Sequence, residues 1–321
     1  MSRPRSHRAL RTLSIAGVLL IVGACGGSSA SPTAATASQA PVSPAPASAS
    51  PAASASASAS AGAGTGSTLA LQAQDFAYLG PTTAEAGVTT ITLENTGAET
   101  HQAQLVKIND GKAFSDLTTA LATGDPSAAL AIVTLSGGPT AVPAGTTGES
   151  TQSLEAGNYA FLCFISGADG IPHVAKGMIS PLTVTGTASA GTLPEADATV
   201  VAKDFSFDVP APVTAGEHTL TFTNNGPQPH EAGIVKLAPG VTVDQVKGMF
   251  TASPAPSGEA PQGPPPFEDD GGIGAIAPGA TATLKVTLEA GAQYAFICFV
   301  PDPATGKAHA ELGMIAAIPT K

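Results

Sequence analysis

Residues 163–178 read CFISGADGIPHVAKGM, and residues 298–314 read CFVPDPATGKAHAELGM. Each stretch presents a cysteine, a histidine and a methionine in that order: Cys163-x9-His173-x4-Met178, then Cys298-x10-His309-x4-Met314. The whole chain has three cysteines, six histidines and four methionines, so the recurrence consumes a large share of its sulfur and imidazole donors. The likeness runs on upstream. LEAGNYAFLCF (154–164) matches LEAGAQYAFICF (288–299), and AGVTTITLENTGAETHQAQLVKI (86–108) matches AGEHTLTFTNNGPQPHEAGIVKL (215–237). Asp75-Phe76 corresponds to Asp204-Phe205, Asn95-x-Gly97 to Asn224-x-Gly226, and His101 to His230. Self-similarity at a spacing of about 130 residues means a duplicated domain, since solenoid repeats run roughly 20–50. The reading is two domains, 68–186 and 197–321, with a linker over 187–196.

Each copy reads as mostly strand. VTTITLE (88–94), HTLTFTN (218–224) and ATLKVTLE (282–289) alternate apolar and polar residues, which gives a half-buried strand one face for a core. Such segments, short and punctuated by Gly, Pro and Asn, predict an all-β fold, an antiparallel sandwich or barrel. Each copy also carries an insertion with helical character. AFSDLTTALA (113–122) is one; VTVDQVKGMF (241–250) is the other, with Thr242 and Gln245 at capping-box spacing. SPAPSGEAPQGPPPFEDD (253–270) is expected to be irregular, because its prolines forbid helix and central strand alike. Tyr159, Phe161, Tyr294 and Phe296 read most simply as core.

Past residue 25, only His218 and Met249 among the Cys, His and Met residues lack a counterpart in the other copy. A single His or Met in a β-domain is ordinarily packing. Here His101, Cys163, His173 and Met178 recur in register as His230, Cys298, His309 and Met314. A thiolate, two imidazoles and a weak thioether form the environment that suits copper cycling between Cu(I) and Cu(II). The early histidine is expected on one strand, the cysteine at the end of a second, and the later histidine and methionine on the loop that follows. Zinc suits the same His and Cys but not the methionine. A Cys163–Cys298 disulfide is the structural alternative, and it would require two equivalent core-edge positions to meet face to face.

The run Asn95-Thr96-Gly97, His101, Tyr159-x-Phe161-x-Cys163, His173, Gly177-Met178 resembles the type 1 copper signature of the cupredoxins, the plastocyanin and azurin superfamily. Asn224-Asn225-Gly226, His230, Tyr294-x-Phe296-x-Cys298, His309, Gly313-Met314 resembles it equally. The resemblance covers both copies. It implies two Greek-key β-sandwiches in tandem and one copper ion in each, with His101, Cys163, His173, Met178 and their four counterparts as the ligands. It further implies one-electron transfer with a redox partner protein. The Cys-to-His loops are longer than in the small soluble members and are closer to those of copper nitrite reductases. Asp75, Asp204, Asn95 and Asn224 are expected to hydrogen-bond turns or ligand loops, and an Asn near the first histidine could fix the cysteine loop.

The chain begins with Arg3, Arg5, Arg8 and Arg11 followed by LSIAGVLLIVGA (13–24), the pattern of a secretory signal. Val22-Gly23-Ala24-Cys25 looks like the lipobox of bacterial lipoproteins, which implies lipidation of Cys25 and retention on the outer face of the cytoplasmic membrane. Several acyl chains bind firmly where one binds marginally. Apart from Gln39 and Val42, residues 26–67 are all Ala, Ser, Pro, Gly or Thr with no charge, a disordered tether within the 25–67 segment. All arginines lie in the leader, leaving nine lysines against 24 acidic residues. That balance argues against nucleic acid and suits a partner with a basic docking face. A two-domain nitrite reductase or laccase would need further histidines, typically as His-x-His; none exists, and His218 alone is left over. The expectation is therefore a carrier and not an enzyme, with copper capture or delivery, or a cupredoxin-fold binding domain without redox role, as the alternatives.

Overall fold

The structure, a computed structural model, describes residues 66–188, 191–209, 212–251 and 265–320. The leader, Cys25 and the tether up to residue 65 lie outside the described residues, as does the proline-rich stretch 252–264. The first repeat contains β1 (Ser67–Gln74), β2 (Ala77–Leu79), β3 (Thr83–Glu85), β4 (Gly87–Asn95) and β5 (Gln104–Ile108). Helices α1 (Phe114–Ala122) and α2 (Pro126–Leu130) follow, then β6 (Val133–Leu135), β7 (Thr147–Leu154), β8 (Gly157–Leu162) and β9 (Ile179–Thr185). The second repeat contains β10 (Ala198–Lys203), β11 (Ser206–Asp208), β12 (Gly216–Asn224), β13 (His230–Leu237) and α3 (Val243–Thr251). It ends with β14 (Phe267–Ile276), β15 (Thr281–Leu288), β16 (Tyr294–Ile297) and β17 (Ile315–Ile318).

Each repeat is a two-sheet sandwich. In the first, β2-β1-β4-β7 faces β3-β9-β8-β5-β6; in the second, β11-β10-β12-β15 faces β14-β13-β16-β17. Period-two alternation builds the interface between the sheets. Leu69, Leu71, Ile91 and Leu93 turn inward to meet Leu105, Phe161 and Leu182, and Val200, Phe222 and Leu284 meet Ile234, Phe296 and Ile318. The helices expected at 113–122 and 241–250 form, and each covers the outside of the sheet that carries the cysteine. Leu117 of α1 packs with Val106, Ile108, Ala160 and Leu162, while Val246 of α3 packs with Val235, Leu237, Ala295 and Ile297. Strands β8 and β16 are thus buried on both faces, which explains the unbroken apolar runs YAFL and YAFI.

The repeats join through both sheets. In one, β7 pairs antiparallel with β15 as Ser150↔Leu284 and Thr151↔Thr283, making eight continuous strands. In the other, residues 135–141 run antiparallel to β14, with the N–H of Gly137 donating to Ala275 O, Gly274 to Gly138 O, Thr140 to Gly272 O and Gly271 to Ala141 O. Ser150 and Leu284 stand at equivalent places, four residues before the shared Leu-Glu-Ala-Gly, and the bridged pair Pro139 and Ile273 are also equivalent. Each seam therefore pairs a position with its own counterpart, the pattern of an isologous two-fold contact. Gln104 locks the seam from within. Its Nε2 donates to Gly137 O (3.2 Å) and Ala275 O (3.0 Å), and its Oε1 accepts from the Ala275 N–H (2.7 Å).

One expectation fails here. Irregularity over 253–270 does not reach its end, because Phe267–Asp270 opens β14 and pairs with β13 as Leu237↔Phe267, Lys236↔Glu268 and Val235↔Asp269. The prolines stop at Pro266, so the backbone donors needed for a ladder return at Phe267.

Candidate metal centres

Four backbone hydrogen bonds fold the Cys-to-His loop back on itself in each repeat. Cys163 N–H donates to Met178 O (3.3 Å), Val174 N–H to Cys163 O (2.7 Å), His173 N–H to Ile165 O (2.9 Å) and Met178 N–H to His173 O (3.0 Å). The second repeat reproduces the set with Cys298, Ala310, His309 and Met314. His173–Lys176 and His309–Leu312 form single 3-10 turns, each closed by a glycine, Gly177 or Gly313, at φ 100°. That left-handed conformation is one only glycine adopts cheaply. It swings the methionine back under the cysteine.

The result is two buried clusters. His101 Nδ1 lies 3.1 Å from His173 Nδ1, and Cys163 Sγ lies 4.0 Å and 3.4 Å from those atoms. In the second repeat His230 Nδ1 lies 3.0 Å from His309 Nδ1, with Cys298 Sγ at 4.0 Å and 3.4 Å. All six side chains are inaccessible to solvent, as are Met178 and Met314, which share the core clusters of their cysteines. The expected convergence of His101, Cys163 and His173, and of His230, Cys298 and His309, is what the structure shows. Neither cysteine is in a disulfide. His218 stands apart, with its Nε2 donating to Thr214 O (2.8 Å).

The outward ring nitrogens decide what the inward ones can do. His101 Nε2 is 2.7 Å from Asp75 Oδ1 and His173 Nε2 is 2.8 Å from Glu99 Oε2. His230 Nε2 is 2.8 Å from Asp204 Oδ1, and His309 Nε2 is 3.2 Å from Gln228 Oε1. Every one of these partners is an acceptor, so every Nε2 carries the proton and every Nδ1 presents a lone pair to the cluster interior. Two lone pairs 3.0–3.1 Å apart repel and cannot bond to each other. Protonation could relieve this only at a cost. Burial pulls His101 and His230 below the ordinary histidine value against the pull of Asp75 and Asp204. Burial, with His230 adding to it, takes His309 down to about 4. Burial also pushes the Cys163 thiol up to about 11 and raises Cys298 likewise. A soft cation that replaces the thiol proton satisfies all three donors at once, and this donor set fits copper.

Asp75 hydrogen-bonds the ligand loop as expected, accepting from the Ala98 and Glu99 N–H groups, and beyond that expectation Asp75 and Asp204 bind the His101 and His230 imidazoles directly. Asp75 is lowered chiefly by the Ala98 N–H, with His101 acting the same way. Gly97 and Gly226 make room for these pairs: a Cβ on Gly97 would fall on the Asp75 carboxylate and 2.8 Å from His101 Nε2. The asparagines do not fix the cysteine loop. Asn95 Nδ2 donates to Glu99 O and Val142 O (2.8 Å each) while its Oδ1 accepts from the Gly97 N–H (2.9 Å), which ties the first-histidine loop to the seam strand. Asn224 does the same with Gln228 O, Ile276 O and the Gly226 N–H. Glu99 and Gln228 were missed. The signal available was their shared place two residues before His101 and His230.

No family model and no curated protein matches the chain. Among solved structures, auracyanin A, a blue copper protein from Chloroflexus aurantiacus, aligns at 20% identity over 38% of this chain and 100% of its own, with a TM-score of 0.27. Reduced auracyanin from Roseiflexus castenholzii aligns at 24% identity over 39% of this chain and 100% of its own, TM-score 0.25. A multicopper oxidase aligns at 14% identity over 80% of this chain and 88% of its own, TM-score 0.22.

Proposed function

We propose that this chain, a tandem cupredoxin in sheet architecture and donor set, holds one copper ion in each repeat and transfers single electrons outside the cytoplasm. His101, Cys163 and His173 would hold the first ion with Met178 as a weak thioether donor; His230, Cys298, His309 and Met314 would hold the second. The observation that carries this reading is the doubled arrangement in which two Nδ1 lone pairs and one thiol face each other in a dry pocket. Copper, when bound, supplies a one-electron couple. The protein keeps the donors in place: the His101–Val142 backbone bridge or β13, the ends of β8 or β16 and the 3-10 turn fix their positions, and the Nε2 partners fix ring orientation. A frame that need not rearrange keeps the cost of changing oxidation state small. Phe164 (40% exposed) and Phe299 (44% exposed) directly follow the two cysteines and give each site an apolar outer surface suited to brief docking. The acidic balance favours a redox partner with a basic face.

His218 is the one further histidine past the leader, and it is engaged by Thr214 O. This supports a carrier in preference to an oxidase or reductase that needs additional histidine-bound metal. Among the described residues no helix is long and apolar enough to cross a membrane. Attachment to the outer face of the cytoplasmic membrane through lipidated Cys25 rests on the leader pattern. The test is to add Cu(II) to the full-length protein in mild detergent. Two equivalents of copper and an intense visible thiolate-to-copper band are expected, with the band abolished in Cys163→Ser combined with Cys298→Ser. Copper uptake with no such band would favour capture or delivery instead, and no copper uptake would end the reading. Cys25→Ser should move the protein from the membrane to the soluble fraction.

A further inference from the structure

The repeats agree at every donor yet differ in what holds the second histidine. Glu99 meets His173 Nε2 with a carboxylate at 2.8 Å. At the equivalent place Gln228 meets His309 Nε2 with an amide oxygen at 3.2 Å. Gln228 is fixed in that orientation because its own Nε2 donates to Asp302 Oδ1 (3.1 Å), and Asp302 is buried and pinned by the Thr305 N–H and hydroxyl. The negative charge that touches the imidazole in the first repeat is therefore displaced one group outward in the second. Asp75 and Asp204 are matched, so the first site has two histidines against carboxylates and the second has one.

We propose that Glu99 and Gln228 poise the two copper centres at different reduction potentials, with the first repeat lower. The inference rests on the copper reading. A carboxylate accepting the Nε2 proton makes the imidazole a stronger donor and favours the higher charge of Cu(II) over Cu(I). An amide does so less. Each centre takes one electron from an external one-electron donor, Cu(II) becoming Cu(I), so the second repeat fills with electrons before the first. The opposite exchange, Gln102 for Glu231, bears on the thiol and touches no imidazole: Glu231 Oε1 accepts from the Phe299 N–H, just as Gln102 Oε1 accepts from the Phe164 N–H, and its charge is felt by Cys298 without a hydrogen bond to any donor atom.

The experiment isolates one centre at a time in the full chain, with Cys298→Ser leaving the first and Cys163→Ser the second. Each is titrated spectroscopically against graded ferrocyanide and ferricyanide mixtures. A tenfold difference in the Cu(II) to Cu(I) affinity ratio, equal to about 59 mV for one electron, is expected between the centres, the first being lower. Glu99→Gln should raise the first by about that amount, Gln228→Glu should lower the second, and Glu231→Gln should move the second less than Gln228→Glu does. Equal potentials, or a Glu99→Gln shift no larger than that of Glu231→Gln on the other centre, would overturn the proposal while leaving the copper reading intact. Absence of a charge-transfer band in both isolated centres would instead sink the electron-transfer reading itself. Metal-free unfolding of Glu99→Gln tells a charge effect from a structural one: an unchanged midpoint with a shifted potential supports the proposal, and a lowered midpoint with an unshifted potential refutes it.

Discussion

Gly97→Ala separates space from backbone conformation at the first centre. Gly97 is not among the glycines at positive φ, so alanine can adopt its backbone. The obstacle is the Cβ, which would occupy the Asp75 carboxylate and lie 2.8 Å from His101 Nε2. His101 cannot retreat, since it is buried and its backbone is bridged to Val142. Asp75 is the more exposed member and must leave, breaking its 2.7 Å bond to the imidazole. Loss of a hydrogen bond to a charged group costs about 1.5–3 kcal/mol. Removal of the partner behind a metal-bound histidine costs about 10–100-fold in affinity, which is about 1.4–2.8 kcal/mol. The two routes agree. Copper affinity of the first centre, measured by chelator competition in the Cys298→Ser background, should fall by that factor in Gly97→Ala and in Asp75→Ala alike. The double variant should fall no further than the larger single effect, because both remove one contact. Gly124→Ala is the contrast: φ is 73° and no atom lies within 4 Å of the added methyl, so stability should drop by about 1–2 kcal/mol with affinity intact. Unchanged affinity in Gly97→Ala, or additive losses in the double variant, would refute the reasoning.

Gln104→Leu keeps the volume of the seam side chain but leaves the buried Ala275 N–H without an acceptor, while Ala275 O keeps the Gly137 N–H. At about 1–3 kcal/mol for an orphaned buried group, urea unfolding should show a loss of that size with copper stoichiometry still two. The metal-free protein should also weaken in mild acid. His309 has a folded value lowered from 6.5 to about 4, so its contribution is intact above pH 6.5 and is lost as pH falls towards 4, at up to about 1.4 kcal/mol per pH unit. Urea midpoints of metal-free protein from pH 7 to pH 4 read this directly, and a flat profile would contradict the burial of that ring.

The donors were legible because chemistry and duplication pointed to the same residues. Cys163 and His173, or Cys298 and His309, are close in sequence and share one loop, while His101 and His230 are marked by the Asn-x-Gly that precedes them. The strands were legible through period-two alternation. The contacts behind the histidines were not, because Glu99 reaches His173 across space and its spacing from His101 says nothing of that partner. Asn95 does hydrogen-bond a ligand loop as expected, but which loop it ties was not legible, because its acceptors, Glu99 O and Val142 O, are carbonyls that any sequence would supply. The seam left no periodic trace either, since edge strands that pair with one another look like any half-buried strand. Phe267–Asp270 became strand because β13 offered an edge, a fact absent from the segment's own residues.

The antiparallel course of that seam turns the second repeat end for end. Val142 flanks His101, Ile276 flanks His230, and Ile276 stands opposite Ser136. Six residues separate Ser136 from Val142, and at about 3.4 Å of rise each the two centres are offset by roughly 20 Å along the strand direction. The molecule thus has two poles, each with its own phenylalanine at the entrance. On the electron-transfer reading proposed above, a donor seated at one pole leaves the other open to an acceptor, so loading and unloading need not take turns at a single doorway.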